Sequence, residues 1–144
     1  QQLPIKSKKL QKRTRYFYYL VFHHKGEVLL QRREEKDIWQ GLYEFPLIEQ
    51  QQFIKKRPTI FLHPTWRAIV GEQDFSVKKI SKPFKQTLSH QHIIATFWEV
   101  ELPHSFLFTG DNTFAVSRKN LSDFAFPRII DWYLQDNSLY LELL

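Results

Sequence analysis

Gln40-Gly41-Leu42-Tyr43-Glu44-Phe45-Pro46 reads as a turn glycine, a short aromatic-rich strand and a proline stop. Working outward, Glu34–Gln40 is a polar loop. Before it, Tyr16–His23 is an apolar strand, Lys25-Gly26 a tight turn, and Glu27–Arg33 the returning strand of a hairpin. After it, Gln50–Lys56 has the composition to begin a helix, but Pro58 limits it. His63–Val70 is predicted as a helix with Pro64 in its first turn and Gly71 at its end. Phe75–Thr87 is extended and interrupted by Pro83. Ile93–Leu102 opens on a β-branched and aromatic run and is expected to be a strand buried on both faces. Phe114-Ala115-Val116 is another short extended piece. Pro127–Leu134 is an amphipathic helix opened by its proline, and Leu139–Leu144 is an apolar tail expected to pack as a last helical turn or strand. Strands, a helix, more strands and a helix give an α+β domain with a mixed β-sheet flanked by helices.

At 144 residues the chain suits one domain with a sizeable core, and its aromatics (Phe 13, Tyr 6, Trp 4) suit a globular one. With no cysteine there is no disulfide framework, thiolate zinc site, Cys-ligated iron–sulfur cluster or cysteine nucleophile. The net charge of +6 points to anionic partners. Basic residues followed by Tyr16–Phe22 loosely imitate a signal peptide. That run is short and tyrosine-rich, and His23-His24-Lys25-Gly26 follows it without a small-residue cleavage site. No segment approaches membrane-spanning length. A start on glutamine and a basic tail lead us to expect a piece of a longer protein. Residues 1–14 carry Lys6, Lys8, Lys9, Lys12 and Arg13, with Arg15 just beyond. They form either a solvated linker or a tether on phosphates. Each cation that reaches a phosphate adds to the salt dependence of binding and reads no sequence.

Leu88-Ser89-His90-Gln91-His92 is a polar mouth on the buried strand. Strand alternation puts Leu88, His90 and His92 on one side, Ser89 and Gln91 on the other. Polar groups there suggest contact with something outside the core. His90 and His92 at i and i+2 suit a metal only with a further ligand. His63 and His104 are further histidines, and nothing in the spacing nominates them. A packed, backbone-bonded His92 is the simpler reading, and His23-His24 are expected to be solvated.

The hairpin Arg15–Arg33, the segment Gly41–Pro46 and the later strands together resemble a Nudix (MutT-like) domain. More specifically, four features resemble the C-terminal domain of MutY-type A/G-specific adenine DNA glycosylases. They are Leu3-Pro4-Ile5-Lys6-Ser7-Lys8-Lys9 leading into Arg13-Thr14-Arg15-Tyr16, then Gln40–Pro46, then Leu88–His92, and Phe126-Pro127-Arg128. Tyr43 stands where the family usually has tryptophan, and Leu88 where phenylalanine is common. The resemblance implies a basic interdomain linker over 1–14 and a Nudix-like lesion-recognition domain over 15–144.

Nudix hydrolysis requires a helix with an Arg-Glu-x-x-Glu-x-x-Glu-Glu type array, whose carboxylates hold Mg²⁺ against a diphosphate. After Pro46 this chain has only Glu49, then Gln50-Gln51-Gln52 and Lys55-Lys56-Arg57, so that catalytic motif is absent. The family's glycosylase chemistry lies in another domain, which usually carries a [4Fe–4S] cluster, so no cofactor is expected in this part. The resemblance implies double-stranded DNA with an 8-oxoguanine:adenine mispair as ligand, the N-terminal catalytic domain of the same chain as partner, a monomer, and the bacterial cytoplasm as location. Oxidation turns guanine N7 from an acceptor into a donor and adds a carbonyl at C8. A serine hydroxyl can accept from N7–H and donate to O8. Ser89 is thus the expected reader. His90 supports the loop or reaches base or phosphate, Leu88 is an apolar wedge, and Gln91 a further contact. Lys8, Lys9, Lys12, Arg13 and Arg15 are the expected phosphate contacts. Two other readings are a Nudix hydrolase of oxidised nucleotides and a protein-interaction module on the same fold.

Overall fold

The run Phe17–Phe22 has no polar side, and every member is at most 2% exposed. In the computed structural model, which describes residues 11–110 and 112–136, it is the middle of the central strand β1 (Arg13–His24). Odd members Phe17, Tyr19 and Val21 pack with one helix layer, even members Tyr18, Leu20 and Phe22 with the other. The sheet is therefore covered on both faces.

Lys25 and Gly26, both at positive φ, make the turn into β2 (Glu27–Arg32). β3 (Tyr43–Glu44) pairs with β2, and β4 (Leu47–Gln50) pairs antiparallel with β1 over Tyr16–Tyr19. The aromatic segment Gly41–Pro46 is thus a two-residue strand followed by a change of partner, and the helix allowed from Gln50 does not form. Pro46 supplies the reason: it cannot donate to a ladder, and its carbonyl instead accepts from Leu20 N at 2.9 Å.

Helices α1 (Pro58–Phe61) and α2 (Pro64–Val70) cover the even face with Ile60, Trp66, Ile69 and Val70. The His63 side chain caps α2, its Nδ1 accepting from Thr65 N at 3.1 Å. β5 (Ser76–Ile80) and β6 (Phe84–Thr87) both pair antiparallel with β7 (Gln91–Glu101). β7 is buried on both faces as expected and runs parallel to β1 from Arg13↔Gln91 to His23↔Glu101. β8 (Phe114–Ser117) pairs with β2, and a 3₁₀ turn (Arg118–Asp123) leads to α3 (Arg128–Asp136). Ile129, Ile130, Tyr133 and Leu134 of α3 close the odd face, where the Tyr133 ring stacks on Phe97 at 3.9 Å.

The described residues form an α+β domain with a mixed eight-stranded sheet. Arg13 and Thr14 belong to β1 and not to a linker ending at residue 14. Lys8, Lys9 and the tail Leu139–Leu144 lie outside the described residues. Among the described residues no helix is long and apolar enough to cross a membrane.

Candidate nucleic-acid interface

Leu88–Gln91 is the turn of the β6–β7 hairpin. Thr87 and His92 are its last paired residues, and Leu88 N donates to Gln91 O at 2.8 Å. Alternation therefore stops at the turn, and Ser89 and His90 share its exposed tip. Leu88 is half-buried against the core of the α3 face, so it holds the turn down and is not a free apolar wedge. Lys12 Nζ donates to Leu88 O at 3.0 Å, and Arg13 N reaches His90 O at 3.4 Å. Lys12 and Arg13 therefore lie beside the turn with exposed side chains.

Arg15 corrects the expectation most sharply. It is 6% exposed. Its Nε and Nη2 donate to Glu49 at 2.7 and 2.8 Å, and its Nη1 and Nη2 donate to Asp37 at 3.0 and 2.8 Å. Its last Nη1 hydrogen goes to Gln91 Oε1 at 3.0 Å. A guanidinium has five donors, and all are used inside the protein, so none is left for a phosphate. Hydrogen bonds to Glu49 and then Asp37 raise the Arg15 pKa further. The same contact with Arg15 holds the Asp37 carboxyl down at about 2. Gln91 is likewise an anchor of the turn, its carbonyl turned toward Arg15.

The network continues inward. Arg33 bridges Asp37 and Glu44, each at 2.9 Å, and Glu44 also accepts from Tyr19 Oη and Gln31 Nε2. Beyond it opens a cleft of about 960 Å³ with Tyr43, Phe114 and Phe124 on its wall. The carboxylates nearest the network, Asp37, Glu44 and Glu49, are all engaged by arginine, and α1 and α2 carry none. Among the described residues no group of three His, Cys, Asp or Glu side chains is arranged to hold a metal ion. These residues do not fit the Mg²⁺ that Nudix hydrolysis needs. Among the described residues His90 and His92 also gain no third ligand.

Outside, His92 shares its surroundings with Lys85 and Lys12. Loss of water contact, then those two charges, lowers its pKa, and its Nδ1 lies 3.0 Å from Thr87 Oγ1. The sequence reading missed Lys85. The signal was available in outline: Lys85 and Thr87 share a side of β6, and Thr87 pairs with His92. Asp37 and Glu49 were missed as partners of Arg15 because they sit 22 and 34 positions away, Asp37 in a segment read as loop and Glu49 between the proline stop and the next segment.

A model of the NUDIX domain matches residues 17–136. No curated protein matches the chain. Among solved structures, the C-terminal domain of mouse MUTYH in complex with human PCNA is similar, with a TM-score of 0.66 and 12% identity over 89% of this chain and 88% of that one. The MutT protein of Methanosarcina mazei Go1 has a TM-score of 0.60 and 15% identity over 89% of this chain and 98% of its own. A C. elegans Ap4A hydrolase has a TM-score of 0.61 and 12% identity over 88% and 97%. At these identities the likeness is one of fold.

Proposed function

The chain belongs to the NUDIX domain family, and on that premise we propose that it is a non-hydrolytic member, the lesion-recognition domain of an adenine DNA glycosylase. It reads 8-oxoguanine opposite a mispaired adenine and positions the duplex for adenine excision by an upstream catalytic domain, in the cytoplasm of a bacterium. No metal or cofactor takes part in this domain.

The observation that carries the reading is the Leu88–Gln91 turn. Ser89 and His90 are presented at an exposed tip, while Leu88, Gln91 and Lys12 fasten the turn from below. A hydroxyl there meets the N7–H and O8 of the oxidised base with one lone pair and one hydrogen. His90 stands beside it toward base or phosphate. Lys12 and Arg13 supply charge next to the turn, and Lys8 and Lys9 extend that charge along the tether. Support against hydrolysis comes from the arginine-bound state of Asp37, Glu44 and Glu49.

The test compares binding of the intact chain to 8-oxoguanine:adenine and guanine:adenine duplexes, with and without Ser89→Ala. The substitution is expected to cut the preference for the oxidised duplex by about ten- to a hundredfold, equivalent to roughly 1–3 kcal/mol. An unchanged preference overturns the role of Ser89. Magnesium-dependent hydrolysis of an oxidised nucleoside triphosphate by this chain overturns the non-hydrolytic reading.

A further inference from the structure

We propose that the sheet edge at Lys82–Lys85, with the groove between it and α3, carries the phosphate backbone of the duplex whose base the Leu88–Gln91 turn reads. This rests on the lesion-recognition reading and adds a second, separate contact to it.

Among the described residues β6 is an edge strand whose only ladder partner is β7. Phe84 and Gln86 turn inward, Phe84 into the α3 core and Gln86 Oε1 onto Ile129 N at 3.2 Å. That leaves Lys85 on the outer side with Thr87. Ser81 is tied to Phe97 twice, N to O at 2.8 Å and Oγ from Phe97 N at 2.9 Å, while Phe84 pairs with Ala95. Lys82-Pro83 is therefore one residue more than the ladder takes up. It stands out as a bulge, with the Lys82 side chain 75% exposed. Lys82, Lys85 and the half-exposed Trp132 line a groove of about 530 Å³. Trp132, 38% exposed, stands on the groove wall as an apolar ring to pack on deoxyribose.

The spacing suits one DNA strand. At about 3.3 Å per residue, Lys85 lies roughly 7 Å along the edge from Thr87, where the turn carrying Ser89 begins, and Lys82 roughly 13 Å once the bulge is allowed for. DNA advances 3.4 Å per nucleotide on each strand. The two lysines, about 7 Å apart along the edge, thus meet phosphates about two nucleotides apart on one strand. Lys12 and His92 fill the interval near the turn. One carboxylate stands in the groove: Asp136 Oδ2, 4.0 Å from Lys82 Nζ. It holds Lys82 back and gives the proposal a variant of opposite sign.

Edge lysines also protect a sheet from pairing with other chains, so the test separates the two roles. Affinity of the intact chain for oxidised and undamaged duplexes is measured across a salt series. Lys82→Gln with Lys85→Gln should lower the slope of log K against log salt by about 1.8, or 0.9 per contact, and weaken both duplexes alike, roughly sixtyfold at 0.1 M salt. Asp136→Asn should strengthen both, and Trp132→Ala weaken both with the slope unchanged. Ser89→Ala should change the preference and leave the slope alone. If the double lysine variant keeps the parent slope, the groove is overturned while the Ser89 reading stands. If that variant self-associates and keeps the slope, the lysines are edge guards and the proposal is again overturned. If the parent chain binds neither duplex, both readings fall together.

Discussion

Arg15 Nη1 donates to Gln91 Oε1 across 3.0 Å, joining the start of the central strand to a turn 76 positions later. The guanidinium is clamped by Asp37 and Glu49, so Gln91 hangs from a fixed point. The exposed tip is thereby held by groups that never leave the protein. A reader that must distinguish two atoms of one base gains from such prior ordering.

Gln91→Leu should leave one buried Arg15 hydrogen without an acceptor and cost about 1–3 kcal/mol. Thermal unfolding measures the loss, and amide exchange at Leu88–Gln91 should quicken. Gln91→Glu, which restores an acceptor, should recover the melting temperature. Equal melting temperatures for the parent and the leucine variant would sink the anchor.

Arg15→Met should be severely destabilising, by about 3–5 kcal/mol, because Glu49 would lose its arginine and Asp37 would keep only Arg33. Arg15→Lys should keep part of the charge balance and lose the forked geometry. If the neutral variant Arg15→Gln folds, its salt slope for duplex binding should match the parent. A drop of about 0.9 would mean that Arg15 reaches a phosphate after all.

Acid should release the turn before it unfolds the core. The Asp37 carboxyl sits at about 2 in the folded chain, below its ordinary value, chiefly through Arg15. A depressed carboxyl contributes stability that is fully present above its unfolded pKa. That stability is lost as pH falls from roughly 4 toward the folded value. Asp37 is partly in contact with water, so screening limits its share to about 1–2 kcal/mol. Asp37→Asn should remove this part of the acid dependence in a denaturant titration repeated at several pH values. A profile identical to the parent would dismiss it.

Tyr133 joins α3 to the sheet by chemistry as well as packing. Its hydroxyl donates to Glu99 Oε2 at 2.6 Å while its ring stacks on Phe97. Tyr133→Phe keeps the stack and should cost about 1.5–3 kcal/mol, the range for a hydrogen bond to a charged group. Tyr133→Leu should cost about 0.5–1.5 kcal/mol more. Equal losses in the two variants would show that the ring contributes nothing beyond its area.

The fold was largely legible because its decisive runs have one meaning. A strand such as Tyr16–His23, apolar on both sides, belongs in the middle of a sheet, and Pro127 ahead of an amphipathic run suits the first turn of a helix. Pro46 was read as a stop, but a proline stop does not say where the chain goes next, so β4 was missed. Ser89 and His90 stand out in the sequence because they are polar beside an apolar run, and the structure exposes both at the turn. Arg15 was misassigned for a related reason: a cation following a basic tail looks like more tail. Only the folded chain brings Asp37 and Glu49 to it, and no local pattern encodes pairs that distant.

The parallel ladder between β1 and β7 sets a timetable for folding. Arg13 through His23 can complete their pairing only when Gln91 through Glu101 are present. At about 5–20 residues per second, synthesis leaves the most apolar strand without its longest partner for on the order of ten seconds. Its hairpin with β2 and its pairing with β4 can form earlier, yet each covers only part of its length. A topology so rich in distant contacts folds slowly, and aggregation during synthesis competes with closure. The Tyr16–Phe22 run is the segment a chaperone would be expected to shield until β7 emerges.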